Sequence, residues 1–290
     1  MKKKDIIILS AKIIATLFLF YYVNKTVNFS EIPKVNNSVL VFFIALSFGF
    51  LQQFLLFCRW FFSVRVLGIS CGIKSVVKSY FIGQFLGTVS PARSGDLAKV
   101  FYLENTGKKR GAYAVILDAA VAVITLFITG LWKDYPQNCE KSVLIIDKIL
   151  SVAGIAAFIA IVIFTLLSYK FKPNRFFSAN FARLFSVSLL QHAVLIIQGA
   201  LVFSILLPVS FAQASFAVAG ARCVMPLIPF AIASIGVREF SFSLFISAFI
   251  PEQNVKPVVF AASYILLLCN SVIFMIPRIF LFYFRGKKRI

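Results

Sequence analysis

Long apolar runs closed at their ends by lysine and arginine set the pattern of the chain. Six are of full length: 6–23, 39–62, 111–131, 143–169, 184–207 and 258–284. A helix rises about 1.5 Å per residue, so each run covers a hydrocarbon layer of ~30 Å. Two further apolar regions, 75–103 and 212–250, are interrupted. The first is broken by Pro91, with Arg93, Gly95, Asp96 and Lys99 behind it. Pro226 and Pro229 break the second, followed by Gly236, Arg238 and Glu239. The pieces on either side of each break are about 10–15 residues, roughly 15–22 Å of helix, too short to span. They fit re-entrant half-helices, which need protein or a watery cavity around the loosened backbone.

Composition agrees. Hydrophobic residues make up 60% of the 290 and charged residues 14%, against roughly 25% charged in soluble domains. A soluble core cannot hide 35 phenylalanines. The pattern therefore predicts an all-α integral membrane protein: about six transmembrane helices plus two Pro-broken re-entrant hairpins. It forms one polytopic membrane domain over residues 1–290. The net charge of +20 would suggest nucleic acid in a soluble protein. Here the basic residues close apolar runs, where they set orientation and meet anionic lipid, and no nucleic-acid partner is expected. The five cysteines (Cys58, Cys71, Cys139, Cys223, Cys269) show no metal spacing and read as packing thiols. Lys2–Lys4 ahead of 6–23 resembles a signal peptide. The bulky Tyr21-Tyr22-Val23 offers no cleavage site, so this run reads as an uncleaved first span.

Loop charge orients the chain. With the basic ends inside, the inner loops, Arg59 among them, hold 18 bases against Asp5 and Glu104. The outer loops hold five bases against four acids. The asymmetry, +16 against +1, requires each broken region to enter and leave on one side. Region 75–103 then dips from the inner face and 212–250 from the outer. Both termini are cytoplasmic, and a plasma (inner) membrane location is expected.

The two broken regions match each other: a short apolar helix, a proline break, then Gly, Arg and a carboxylate. Entering from opposite faces, they form an inverted repeat with halves of roughly 1–131 and 143–290. Interrupted helices in matching positions point to a transporter's substrate site. The plainer alternative is ordinary helices kinked by Pro and Gly. Kinks do not explain ionisable residues at membrane depth, which cost ~2.5–3.5 kcal/mol each.

The stretch from Gly83-Gln84-Phe85-Leu86 to Leu103, with its Pro-x-Arg-x-Gly-acid core, resembles the membrane region of lysylphosphatidylglycerol synthases and their stand-alone flippase-like relatives. Phe57-Cys58-Arg59-Trp60 and Pro226…Gly236-Val237-Arg238-Glu239 fit the same family, and the resemblance runs from about Ile6 to Phe284. It implies movement of lipids or lipid-linked intermediates between leaflets. Three positions depart from the family pattern. Asp96 stands for the usual Glu, Lys99 for the usual Arg, and a Glu-Arg-x-x-Asp pattern is reduced to Asp118. The chain ends at Ile290 just after the last run. No soluble catalytic domain, and hence no lysyl transfer, is expected.

The candidate residues carry anion chemistry. Pro91 lacks an amide donor and keeps Ser90 out of helix. A helix restarting near Ser94 would offer free N–H groups beside Arg93, suited to a phosphate head group. Asp96, in the first turn of that helix, could pair with Lys99 or be purely structural. Arg238 and Glu239 diverge by about 100° on a helix, so each needs another partner. The sharp expectation is one central cluster, Arg93 and Asp96 from one half meeting Arg222, Arg238 and Glu239 from the other. The bland alternative is that Arg222 and Arg238 snorkel to the interface. Asp118 and His192 are candidates for a polar or proton relay, His192 equally for an inter-helix hydrogen bond. Gln52 and Gln53 read as polar glue between helices.

No HExxH, Walker or GxSxG motif is present, so no enzyme, metal or other cofactor is expected. The favoured function is a flippase or translocase for an anionic membrane lipid or polyprenyl-phosphate-type substrate. The alternative is a non-transporting subunit that partners a glycosyltransferase or lipid-modifying enzyme. A third, a membrane enzyme working through Asp96, Asp118 and Glu239, has least support. An oligomer is compatible with all three.

Overall fold

The computed structural model describes residues 38–104, 107–130, 148, 152, 179–225, 237–250 and 256–272. Among these there is no strand. The elements in order are α1 (Ser38–Val66), α2 (Ile73–Val89), a 3-10 segment (Pro91–Tyr102), α3 (Lys108–Gly130), α4 (Ala179–Leu206), α5 (Phe211–Val224), α6 (Val237–Ile246) and α7 (Lys256–Leu267), the last running into a π-helical turn (Leu268–Val272).

Helices α1, α3 and α4 are long and apolar enough to cross a membrane. The expected spans 6–23 and 143–169 lie outside the described residues, and 258–284 is described only to 272. The first half of α1 shows one exposed apolar face, with Val39, Phe43, Phe50 and Phe54, as a lipid-facing helix does. From Leu55 to Val66 no residue is exposed, because other elements wrap that half. Gly68, at φ 64°, closes α1 in the left-handed conformation that glycine adopts freely. Its N–H reaches Arg65 O at 2.9 Å and Ile69 N–H reaches Val64 O at 3.2 Å, a Schellman pair.

Helix directions follow from the side chains that meet. Gln198 bonds the Ala45 carbonyl, Gln191 bonds Arg59, and Val66 shares a cluster with Leu184, so α1 and α4 run antiparallel. The spacing is heptad-like, 45–52–59–66 against 184–191–198, with Gln and Arg at positions that a soluble pair would fill with Leu. Leu117 meets Leu184, Thr125 meets Ser188, and Thr129 lines one groove with Ile196, so α3 and α4 run parallel. The starts of α3 and α4 and the end of α1 thus lie together. They carry Lys108, Lys109, Arg110, Arg183 and Arg65, which makes this the basic end of the bundle.

The first broken region folds back on itself. Ser90 is extended (φ −97°, ψ 146°), as a residue before proline should be. The chain then returns along α2: a Cβ at Gly83 would strike Lys99, and one at Gly87 would lie 2.8 Å from Asp96 Oδ1. The open ends are tied at the basic end, where Ser75 Oγ donates to Tyr102 O and accepts from Glu104 N–H, each at 2.9 Å. The first arm is longer than the pieces expected, whereas the second, at 12 residues, has the expected count but a different winding. The 17 residues of α2 cover about 25 Å. The 12 residues of the 3-10 segment cover about 24 Å, an unusual length for that conformation.

From the opposite end, α5 starts four residues after α4, with a capping box in which Ser210 and Gln213 satisfy each other's backbone N–H. It returns along α4, where Gly199 lets Val218 approach. Its last turn reaches α3, with Cys223 Sγ 3.9 Å from Leu126 O. Residues 226–236, including the expected breaks at Pro226 and Pro229 and also Gly236, lie outside the described residues. Helix α6 packs on α5 and leads back towards the α4 C-terminus, Phe242 stacking edge-on with Phe203.

Among the described residues two large apolar cores result, with a smaller cluster of Val66, Leu117, Val121 and Leu184 beside them. One joins the C-terminal half of α1 to α2, the 3-10 segment and the start of α3, around Trp60 and Tyr80. The other joins the N-terminal half of α1 to α4, α5, α6 and α7, around Phe203 and Phe245.

Candidate functional site

Polar side chains concentrate between the two cores. In a 3-10 helix residues three apart eclipse, so Asp96, Lys99 and Tyr102 form one row. The Lys99 stem lies across Gly83, and only a missing Cβ makes room for it. The residue is 2% exposed. Its ammonium sits 3.2 Å from Asp96 Oδ1, 3.7 Å from Asp118 Oδ2 and 4.9 Å from the centre of the Trp60 ring. Trp60 is oriented by its own indole N–H, which donates to Ser79 Oγ at 2.9 Å.

Asp118, on α3, is the hub. Arg59 donates Nε to Oδ1 at 2.9 Å and Nη2 to Oδ2 at 3.4 Å, and its Nη1 reaches Gln191 Oε1 at 2.7 Å. Ser63 Oγ donates to Oδ1 at 3.3 Å. One carboxylate thereby ties α1, α3 and the 3-10 segment together, and Gln191 adds α4. Arg59 corrects the loop-charge count. It is not an inner-loop base but a buried residue of α1, 6% exposed, held in a charge-assisted fork on Asp118. Asp96 is also displaced from its expected place in a first helical turn. The restart is 3-10 and begins at Pro91, so Asp96 lies mid-segment, with Ser90 Oγ accepting the Gly95 N–H at 2.6 Å. The side chains of Pro91 and Arg93 lie outside the described residues.

A second group gathers on the other hairpin. Arg222 ends α5, Arg238 and Glu239 begin α6, and Ser263 and Tyr264 face them from α7. Glu239 is 1% exposed, with Oε1 accepting from Ser263 Oγ at 2.9 Å. The partly buried Arg222 and Arg238 lie within Coulombic range of each other, and Tyr264 within range of Arg238 and Glu239. Among the described residues, Asp96 therefore stands in the first group and Arg222, Arg238 and Glu239 in the second. His192 connects them, within Coulombic range of Arg59 and Arg222, its Nε2 3.0 Å from the Ala122 carbonyl. That contact places the ring proton on Nε2.

A neutral amide layer lies beside them. Gln198 and Asn270 exchange bonds of 2.9 Å, Gln198 also reaches Ala45 O at 2.7 Å, and Gln53 reaches Asn270 O at 2.7 Å. Tyr80 O–H bonds Gln53 Oε1 at 3.0 Å, joining the first hairpin to the π-turn. That turn presses the Cys269 carbonyl on Gly49, where a Cβ would collide. Gln53 is the expected glue, whereas Gln52 Oε1 is buried with no hydrogen-bond partner among the described residues.

The first group was half legible in the sequence. Asp96, Lys99 and Asp118 stand out as charges within apolar runs. Arg59, Gln191 and Trp60 were missed. The seven-residue spacing of Gln52 and Arg59, and of Gln191 and Gln198, is the signal that could have found the partners. Among the described residues no group of three or more His, Cys, Asp or Glu is placed to hold a metal ion. No curated protein and no solved structure matches the chain. One family model does, over residues 7–273, which takes in every residue of both charged groups. The chain therefore belongs to the family described as the lysylphosphatidylglycerol synthase TM region.

Proposed function

We propose that the protein moves a phosphate-bearing lipid or lipid-linked intermediate between leaflets. The single observation that carries this is that Arg222, in the last turn of α5, and Arg238, in the first turn of α6, lie within Coulombic range of each other. Like charges in a low-dielectric interior repel, and an anion between them removes the repulsion. Arg222 makes no hydrogen bond or ion pair among the described residues. Among the described residues of the first group, Asp96 and Asp118 face Lys99 and Arg59. The head group therefore engages the second hairpin, and the first acts as a closed brace.

The remaining architecture follows from this proposal. The two hairpins dip from opposite faces, the first from the basic end, which the positive-inside rule makes cytoplasmic. Rocking one repeat against the other would then expose the site alternately. A second role also has support: the basic end, with Arg65, Lys108, Lys109, Arg110 and Arg183, suits an acidic enzyme partner at the cytoplasmic face.

The test is leaflet-resolved quenching of a fluorescent phospholipid or polyprenyl phosphate in proteoliposomes. We expect acceleration, reduced about ten- to a hundredfold by Arg222→Ala, the loss of a charge-assisted contact. Unaccelerated exchange of every such lipid by correctly folded protein defeats the proposal. A stoichiometric enzyme partner whose activity survives Arg222→Ala supports the scaffold role instead.

A further inference from the structure

Asp118 ties α1, the 3-10 segment and α3 into one body, and α4, α5, α6 and α7 pack on one another as a second. The bodies meet along the antiparallel seam of α1 and α4. There Ala45 and Arg59, which bond Gln198 and Gln191, are fourteen residues apart on α1, whereas the two glutamines are seven apart on α4. Gln52 is the midpoint of Ala45 and Arg59, so its level falls between the two α4 amides, about one turn from each. It is 7% exposed, and its Oε1 has no hydrogen-bond partner among the described residues. Gln198 already directs its Nε2 to Ala45 O and Asn270 Oδ1. Gln191 accepts from Arg59 through Oε1, and its Nε2 makes no hydrogen bond among the described residues. An acceptor and a donor, each without a partner there, thus lie on one seam a turn apart.

We infer that the first body slides along α4 by one turn, ~5.4 Å, towards the basic end, and that this ratchet is the step that alternates access in the proposed translocation, on which the inference rests. Gln52 Oε1 then accepts from Gln191 Nε2. The same displacement fits α3. In the observed register Thr125 Oγ1 and Ser188 Oγ lie 2.7 Å apart, both residues fully buried. One turn of slide brings Thr129 to Ser188 in place of Thr125. Gln198 exchanges the Ala45 carbonyl for that of Val41. Arg59 leaves Gln191 but keeps its fork on Asp118, which travels with it. The bond from Gln53 to Asn270 O breaks. Ala45 takes the place of Gly49 against the Cys269 carbonyl, where the π-turn must yield by the width of a methyl.

The experiment traps each register in the full chain with its five native cysteines replaced. Thr125→Cys with Ser188→Cys captures the observed register as a disulfide, and Thr129→Cys with Ser188→Cys the slid one. Copper phenanthroline with oxygen oxidises the thiols, and mass spectrometry reads the yield. We expect both disulfides to form. Gln52→Leu should lower the yield at 129–188 about tenfold, the equivalent of one hydrogen bond, and leave that at 125–188 unchanged. The same variant should raise the melting temperature, because it removes a buried acceptor without a partner, and yet slow lipid exchange in proteoliposomes. A glutamine that only held the fold would not do both. The 125–188 disulfide should stop exchange until a reductant opens it. A 125–188 disulfide without one at 129–188, a 129–188 yield unaffected by Gln52→Leu, or exchange that continues with 125–188 closed overturns the inference. Neither disulfide, in protein that still exchanges lipid, overturns the slide and spares the translocation proposal. Both disulfides, with Gln52→Leu selective for 129–188 but no lipid exchange in reduced protein, overturn only the translocation proposal.

Discussion

Asp118 shows how a charge survives at membrane depth. An unpaired carboxylate there is costly, and this one is enclosed by Arg59, Ser63 and Lys99. The partners depend on it in turn. Asp118→Asn leaves Arg59 and Lys99 buried with only Asp96 and the Gln191 amide to share. Removing one member of a buried pair costs about 3–5 kcal/mol. We expect thermal unfolding in detergent to fall well below wild type, and Arg59→Met with Asp118→Leu to recover part of the loss. Equal stability of Asp118→Asn and wild type would show that the network contributes nothing. The sequence marked Asp118 because a lone carboxylate interrupts an apolar run. It disguised Arg59, because a base a few residues from the end of such a run has the same spacing as an interfacial anchor.

At the scale of the element, the first hairpin depends on what its glycines lack. Gly83 and Gly87 lie one turn apart on α2 and face Lys99 and Asp96. Gly95 presses on the α2 backbone at Leu86, so the two arms almost touch. Gly87→Ala would place a methyl 2.8 Å from Asp96 Oδ1, and overpacking of this kind costs about 1–3 kcal/mol. The variant should lower the melting temperature and loosen the Asp96–Lys99 pair. Faster hydrogen exchange across 83–99, measured by mass spectrometry, would register it. Unchanged exchange would mean that the arms do not pack this closely. Pro91 made the break visible in advance. The 3-10 winding of the returning arm was not foreseeable, because it is chosen by the fit of Asp96 and Lys99 against α2 rather than by local propensity.

The whole molecule is organised by direction. The two ends of the first hairpin meet at the basic end, whereas α5 begins at the opposite one. In protein with its five native cysteines replaced, single cysteines at Gly72, Glu104 and Ser210 should report this with an impermeant maleimide. All three positions are exposed. Gly72→Cys and Glu104→Cys should label from the cytoplasmic side and Ser210→Cys from the other. Labelling of Gly72→Cys and Glu104→Cys from opposite sides would turn the hairpin into a crossing and remove the inverted arrangement.

The sequence by itself determined that this is a helical membrane protein of its family, that the first apolar region breaks at Pro91, and that charges accompany that break. These are properties of one segment at a time: the cost of apolar surface in water and the missing amide of proline both act locally. Which charges neutralise one another was decided only in three dimensions. Arg59 finds Asp118 across 59 residues and Gln191 across 132. No local rule reaches that far, because those pairings depend on the antiparallel seating of α1 on α4 and the closeness that the glycines allow. For the same reason only the structure shows that Lys99 is shared between Asp96 and Asp118.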